Sequence, residues 1–361
     1  MGETRFSEIL INYGIDPEVC NISEFTRGHI NDSYIVEVQQ SYRFFLQRIN
    51  HHVFKDPGGL IENHVKVNDA MAAHYGGEKK SPYPRIIKNK DQKYFCNDRE
   101  GNFWRLLEFV PGSRSFNIAS TSAIAYEGAA AFGAFQTVMN KERPSAYITT
   151  IPGFHHLGNR LRQLQKAVEV NPKGRVNNAR PEITFVFDRM EYATKLEKLL
   201  LKKIIPLRVT HNDTKLNNVL FKENEIKYIC VVDLDTVMPG TVLYDYGDMV
   251  RTFTSPVEED EPDPSKVLLR TDIFEALTKG YLGALKDSLT TGEKEHLLFG
   301  AKVMLLMIGT RFLTDFLEGD HYFKIARKEH NLDRSRNQFA LLKQLEDKEN
   351  RLQAIIRSCL Q

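Results

Sequence analysis

The stretch that decides the reading runs from Val209 to Phe221, VTHNDTKLNNVLF, and continues through the apolar run Tyr228 to Val232, YICVV, to Asp233. It holds His211, Asp213 and Asn218 in the order H-x-D-x-x-x-x-N. The short apolar run predicts a buried strand whose end presents Asp233. A carboxylate, an amide and a second carboxylate in this order suit phosphoryl transfer. That chemistry asks a protein mainly to position a hydroxyl and to neutralise phosphate charge. Asp213 can accept or orient the acceptor proton, and His211 can buttress the loop. Asn218 and Asp233 offer hard oxygen donors suited to Mg²⁺. Asp235 has two readings, a further carboxylate facing metal or phosphate, or a brace for the turn before Met238-Pro239-Gly240.

Outward from this stretch the pattern changes character. Upstream, Phe25 to Val38 predicts two strands around Gly28–Asp32, and Arg43 to Ile49 a third. Asp56-Pro57-Gly58-Gly59 is a breaker ahead of a helix over Leu60 to Tyr75. Residues 82–110 again predict strands, with turn signals at Asn89–Asp91 and Asn97–Gly101, the last strand over Phe103 to Val110, ending at Pro111-Gly112. Beyond that point the period becomes helical. Thr121 to Asn140 places Ile124, Gly128, Ala131 and Phe135 on one face, with Gly128 and Gly133 each costing the helix about 1 kcal/mol relative to Ala. Glu191 to Ile205 reads as a helix stopped by Pro206, and residues 285–318 carry Leu297, Ala301, Met304, Ile308 and Phe312 on one stripe. Asn171 to Pro181 reads as a polar loop. The expected organisation is α+β and bilobal, with a small β-rich lobe over residues 1–107, a larger helical lobe over residues 108–361, and a connection at about 107–112.

Composition bounds the rest. The 361 residues are 42% hydrophobic and 27% charged, enough for a sizeable core. Lys and Arg (49) nearly cancel Asp and Glu (47). Overall charge therefore gives no support for a nucleic-acid or membrane partner. The N-terminus lacks the apolar stretch of a signal peptide and the residues of a myristoylation site. No apolar run is expected to reach the roughly 18–20 residues that cross a bilayer. Cys20, Cys96, Cys230 and Cys359 are far apart, with no C-x-x-C pair, and read as reduced thiols of a cytoplasmic protein.

With these motifs in place, the chain resembles the kinase-like fold in its aminoglycoside phosphotransferase/choline kinase branch. HNDTKLNNVL, VVDLDTVMPG and RFLTDFLEGDHYF resemble the N-acetylhexosamine 1-kinases more specifically. The resemblance implies ATP and Mg²⁺ as cofactors, a small-molecule substrate, and Asp213 as the catalytic carboxylate. Asn218 and Asp233 become the metal ligands. Gly28, Asn31 and Ser33, between the first two strands, become the phosphate-covering loop, with one glycine where G-x-G-x-x-G is usual. On the third strand a kinase needs a cation. Register puts Gln47 in the lysine's place, whereas the need for charge favours Arg48. Adjacent strand residues face opposite ways, so only one can point at ATP. Glu62 is the expected helix partner of that cation. Glu108 and Val110 lie on the connector whose backbone would meet adenine. Asp245 would anchor the catalytic loop, with Asp248 the other candidate. Arg311, Asp320 and Tyr322 would line the sugar pocket, although Arg311 and Asp315, four apart on one helix face, can also simply pair.

The implied reaction is transfer from ATP to the anomeric hydroxyl of N-acetylglucosamine or N-acetylgalactosamine. Two rivals stand beside it. One is a kinase of another alcohol (choline, ethanolamine, homoserine or an aminoglycoside), for which the acidic run Glu258–Glu261 could supply a pocket. The other is a nucleotide-binding kinase-like module without turnover.

Overall fold

The computed structural model describes residues 2–26, 30–39 and 41–361, with side chains from Phe6 onward. It divides into two units. The first holds Met1–Ser113, Ser145–Pro152 and Val232–Met238, and the second holds the rest. A single cut near residue 107 therefore does not describe the molecule, because two later segments join the first unit.

The first unit is built on an antiparallel sheet. Its strands are β1 (Cys20–Glu24), β2 (Asp32–Val38), β3 (Tyr42–Ile49), β4 (Cys96–Asn97) and β5 (Phe103–Glu108), in the order β1-β2-β3-β5-β4. The first strand precedes Phe25, where the alternation alone had suggested it would start. Most of 82–102 is irregular, with turns at 90–91 and 99–100 and only β4 and an isolated bridge from Ile86 to Leu107. Turn chemistry explains this. Asn89 and Asp98 use their side chains on nearby backbone N–H groups, which closes loops instead of extending strands. Helix α1 (Gly2–Asn12) seals one end, and Ile9 and Leu10 pack with Val36, Leu46, Trp104 and Leu106. Helix α2 (Pro57–Tyr75) is capped by Asp56, whose side chain accepts from the Gly59 N–H. Asn63 on α2 collects the two late segments. It donates to the carbonyls of Ile148 and Val237 and accepts from the Ile148 N–H, at 2.9, 3.0 and 3.0 Å.

The chain then passes through β6 (Ser113–Arg114) into the helical second unit. Its helices are α3 (Ser122–Met139), α4 (Leu157–Val170), α5 (Arg180–Phe187), α6 (Glu191–Leu201), α7 (Val242–Phe253), α8 (Thr271–Leu285), α9 (Thr291–Glu318), α10 (His330–Asp347) and α11 (Glu349–Leu360). Short strands β7 (Arg208–Thr210), β8 (Val219–Lys222), β9 (Tyr228–Val231) and β10 (Met238–Gly240) carry the decisive stretch. Helix α6 ends at Leu201, short of Pro206, with Lys203 at φ +53°. Glycines let helices touch: a Cβ at Gly133 of α3 would lie 2.7 Å from the Tyr281 carbonyl of α8. Helix α9 is long and apolar enough by composition to cross a membrane, a length the sequence reading had not credited. Its apolar window is 94% buried within the protein, as befits a core helix.

Candidate active site

Asp213 follows β7 in the second unit. The loop that carries it is held by backbone capture. Asp245, in the first turn of α7, accepts from the N–H of His211 at 2.9 Å and of Asn212 at 2.7 Å. Thr214 Oγ1 donates to the Asp245 carbonyl. These three bonds tie the loop to Asp245. Asp248 instead pairs with Arg251, Nε to Oδ1 at 2.8 Å. Burial pushes the Asp245 carboxyl up to about 7, against the two N–H donors that favour its charge.

Asn212 holds a left-handed turn at φ +64°. Its side chain accepts from Thr210 Oγ1 and donates to the Thr210 carbonyl. Its own carbonyl is bonded to His155 Nε2 at 2.8 Å. That contact makes Nε2 the protonated nitrogen, and burial holds His155 neutral, its pKa lowered to about 3. His211 is fully buried, edge-on to Phe132 and Phe135 at 5.3 and 5.6 Å. Its ring has no exposure to solvent.

Asp213 itself is partly exposed. Asn218 donates to its carbonyl and to its carboxylate at 2.9 and 3.1 Å, and Lys215 Nζ lies 3.3 Å from Oδ1. Burial opposes its charge, but Lys215, His211 and Arg251 outweigh burial and hold the carboxyl below the usual range. Lys215 and Arg251 were not found by sequence reading. A lysine two residues after a catalytic Asp was the available signal.

Arg311, on α9, belongs to the same electrostatic neighbourhood. Burial lowers its pKa, and it feels both Arg251 and Asp213. Its guanidinium lies 5.2 to 5.5 Å from the ring centres of Phe154, Tyr322 and Phe323, and Nη2 donates to the Tyr322 hydroxyl at 3.3 Å. Asp315 does not pair with Arg311. It accepts the backbone N–H groups of His321, Tyr322 and Phe323 and so shapes the loop that brings Tyr322 to Arg311. Asp320, at φ +63°, is committed to Arg175 and Asn331 at 2.5 and 2.9 Å. Its place is loop support, since both carboxylate oxygens already have partners. Three residues of the acidic run are committed as well: Glu259 to Arg251, Asp260 to His330 and Glu261 to Lys266.

The first unit holds the other candidates. Gly28 lies outside the described residues. Gln47 points inward with Ser33, and its amide donates to Ser33 Oγ at 3.0 Å. Gln47 Oε1 accepts from Arg105 at 2.7 and 3.0 Å. Arg48 points the other way and pairs with Asp32. Gln47 is thus the inward-facing residue of the two, and Arg105, on β5, is the cation beside it. Arg105 in turn pairs with Asp235, Nη1 to Oδ1 at 2.6 Å. Asn31 Nδ2 donates to the other Asp235 oxygen at 2.6 Å, and its Oδ1 accepts from the Asn50 N–H. Asp235 is therefore the brace. Glu62 is exposed, and α2 turns Asn63 and His64 inward instead, because the helical period places 60, 61, 63, 64 and 67 on the buried face. The helix partner expected at Glu62 is thus overturned. Burial and then Arg105 lower the His64 pKa to about 3. On the connector, the Glu108 N–H donates to the Arg85 carbonyl, the Glu108 carboxylate holds the Arg85 side chain, and the Val110 carbonyl accepts from Ser113 Oγ.

Asp233 is exposed at φ +62°, in the left-handed region that Asp tolerates better than most residues. The Asn218 amide nitrogen is engaged by Asp213, which leaves its oxygen as the donor end for a cation. Each offers a hard oxygen donor of the kind Mg²⁺ takes. Among the described residues no group of three His, Cys, Asp or Glu side chains could hold a metal. Few protein ligands are expected where phosphates complete the shell.

The chain belongs to the phosphotransferase enzyme family (APH), whose pattern matches residues 21–269. It is therefore a phosphotransferase. Its fold is shared with an aminoglycoside phosphotransferase from Alicyclobacillus acidocaldarius, at 11% identity and a TM-score of 0.61, over 98% of this chain and 94% of that one. A choline kinase from Cryptosporidium parvum is similar at 14% identity and 0.60, over 96% and 94%. An amicoumacin kinase, solved with AMP-PNP, Ca²⁺ and Ami, is similar at 13% identity and 0.64, over 96% and 93%.

Proposed function

We propose that this phosphotransferase moves the γ-phosphoryl group of ATP, with Mg²⁺, to the anomeric C1 hydroxyl of an N-acetylhexosamine. The observation that carries the reading is Asp213 held ionised near Lys215, Arg251 and Arg311, with three aromatic rings around the Arg311 guanidinium. Asp213 accepts the proton of the C1 hydroxyl as its oxygen bonds to the γ-phosphorus. The bond from that phosphorus to the β–γ bridging oxygen breaks, and ADP leaves. An anomeric hydroxyl is more acidic than an ordinary alcohol, which eases the transfer to a carboxylate of low pKa. Asn218 and Asp233 would hold Mg²⁺, which offsets charge on the phosphates. Arg311 offers a planar donor fork to sugar oxygens, and aromatic rings suit the apolar face of a sugar.

A cationic acceptor such as choline is disfavoured by the same geometry. Arg311 lies close enough to Arg160 to lower its pKa, and Glu259, Asp260 and Glu261 have cationic partners of their own. The four cysteines are free thiols, which supports a cytoplasmic setting.

ATP consumption against a panel of sugars and amino alcohols, with NMR of the product, tests the proposal. N-acetylglucosamine or N-acetylgalactosamine should yield the 1-phosphate, and the methyl glycoside should not react. Phosphorylation of the methyl glycoside, or strong preference for choline, would overturn the sugar 1-kinase reading while leaving the phosphotransferase.

A further inference from the structure

Arg105 and Asp235 are 1% and 2% exposed. A pair this deep is a poor source of stability, because desolvation offsets the attraction and apolar side chains of the same volume would serve as well. Its surroundings suggest what else it does. The guanidinium contacts Gln47 through two nitrogens and Asp235 through the third. Gln47 continues to Ser33, and Asp235 accepts from Asn31. β2, β3, β5 and the segment Val232–Met238 are thereby tied into one polar network inside the first unit. Asp235 sits in the single 3₁₀ turn Leu234–Thr236 whose N-cap is Asp233. Gripping Asp235 fixes that turn, and with it the left-handed backbone that aims Asp233.

We propose that Arg105 is a positioning residue for phosphoryl transfer. It delivers from β5 the buried positive charge that the third strand lacks, holds Asp235, and through the turn sets the orientation of Asp233. Gln47, neutral, relays the guanidinium to Ser33. The inference rests on the kinase reading above. Loss of an outer-shell partner of a metal site commonly costs about 10–100-fold in metal affinity or activity. Arg105→Gln should lower kcat and raise the Mg²⁺ concentration needed for half-maximal rate by amounts in that range.

Because Arg105→Gln leaves Asp235 buried without its partner, that variant can fail to fold, so two double variants decide the matter. Steady-state kinetics over a Mg²⁺ series, calorimetry with Mg·ADP and urea unfolding are measured on each. Arg105→Gln with Asp235→Asn removes both charges. It should fold cooperatively yet keep the impaired kcat and Mg²⁺ dependence. Recovery of wild-type values would mean the pair is only structural and would overturn the proposal. Gln47→Lys with Arg105→Gln returns the charge to the third strand and should recover most of the lost rate. If it folds and is no better than the neutral pair, the charge is not what matters and the proposal is wrong. If the wild type neither binds Mg·ADP nor consumes ATP, the kinase reading itself fails, and this inference goes with it.

Discussion

Asn218 grips Asp213 at two points, donating one amide nitrogen to its carbonyl at 2.9 Å and to its carboxylate at 3.1 Å. The side chain proposed for the metal thus also orients the side chain proposed for the acceptor proton. Asp245 ties the start of the same loop through the His211 and Asn212 N–H groups and Thr214 Oγ1.

Asp213→Asn should lower kcat by about 10²–10⁴-fold, the usual contribution of a single general base. Mg·ADP affinity, read by calorimetry, should stay close to wild type. A variant with near-normal kcat would take Asp213 out of that role.

Arg311→Ala should raise KM for the acceptor by about 10–100-fold, the equivalent of one or two hydrogen bonds to a charged donor. Nucleotide affinity should change little. Arg311→Lys keeps the charge and loses the fork, so it should fall between the two. Equal losses toward nucleotide and acceptor would argue against an acceptor contact.

His64 and His155 are buried neutral, with pKa values lowered to about 3. The unfolded chain, with His near 6.5, binds more protons between those values. The stability tied to each His is therefore present above about pH 6.5 and is lost as pH falls toward about 3, at up to roughly 1.4 kcal/mol per pH unit. Neither ring nitrogen of His64 has a hydrogen-bond partner among the described residues, so an apolar replacement leaves nothing unpaired. His64→Leu should flatten the acid side of the stability curve by one His. Urea unfolding at several values between pH 4 and 7, run on both proteins, would show an unchanged slope if His64 can take up a proton while folded.

Gly133→Ala gains about 1 kcal/mol of helix propensity. It also drives a methyl group into the Tyr281 carbonyl, where overpacking costs about 1–3 kcal/mol. Net destabilisation is expected in chemical unfolding. A gain in stability would mean that α3 and α8 can separate at little cost.

Helices α2 and α3 were legible because their caps and periods are local. Asp56 and Thr121 sit where a cap should, and the apolar stripe follows within the same turn or two. Over 82–102 the turns at Asn89–Asp91 and Asn97–Gly101 were legible, but not that the side-chain turns of Asn89 and Asp98 leave only β4 between them. Helix ends were less secure where a tertiary contact, not a breaker, terminates the helix, as at Leu201. In the site, Asp213 and Asn218 stood out because a motif has fixed spacing along one chain, whereas Asp245 came only from the resemblance, with Asp248 beside it. Arg105 did not, because nothing within its own strand marks a buried arginine as different from an exposed one.

The amino-acid sequence by itself determined the β-then-helical order, the H-x-D-x-x-x-x-N loop and the carboxylate at the end of the following apolar run. Each of these depends on neighbours within a few residues, which periodicity and spacing encode directly. Only the tertiary structure decided which face of β3 turns inward, that Asn63 and not Glu62 enters the core, that Asp235 braces and does not stand free, and that the positive charge missing from Gln47 arrives from Arg105. Gln47 and Arg105 are 58 residues apart in the chain and bonded at 2.7 Å. The pairing of β3 with β5 brings them together through backbone hydrogen bonds that carry no side-chain identity, so the partnership is absent from either strand read alone.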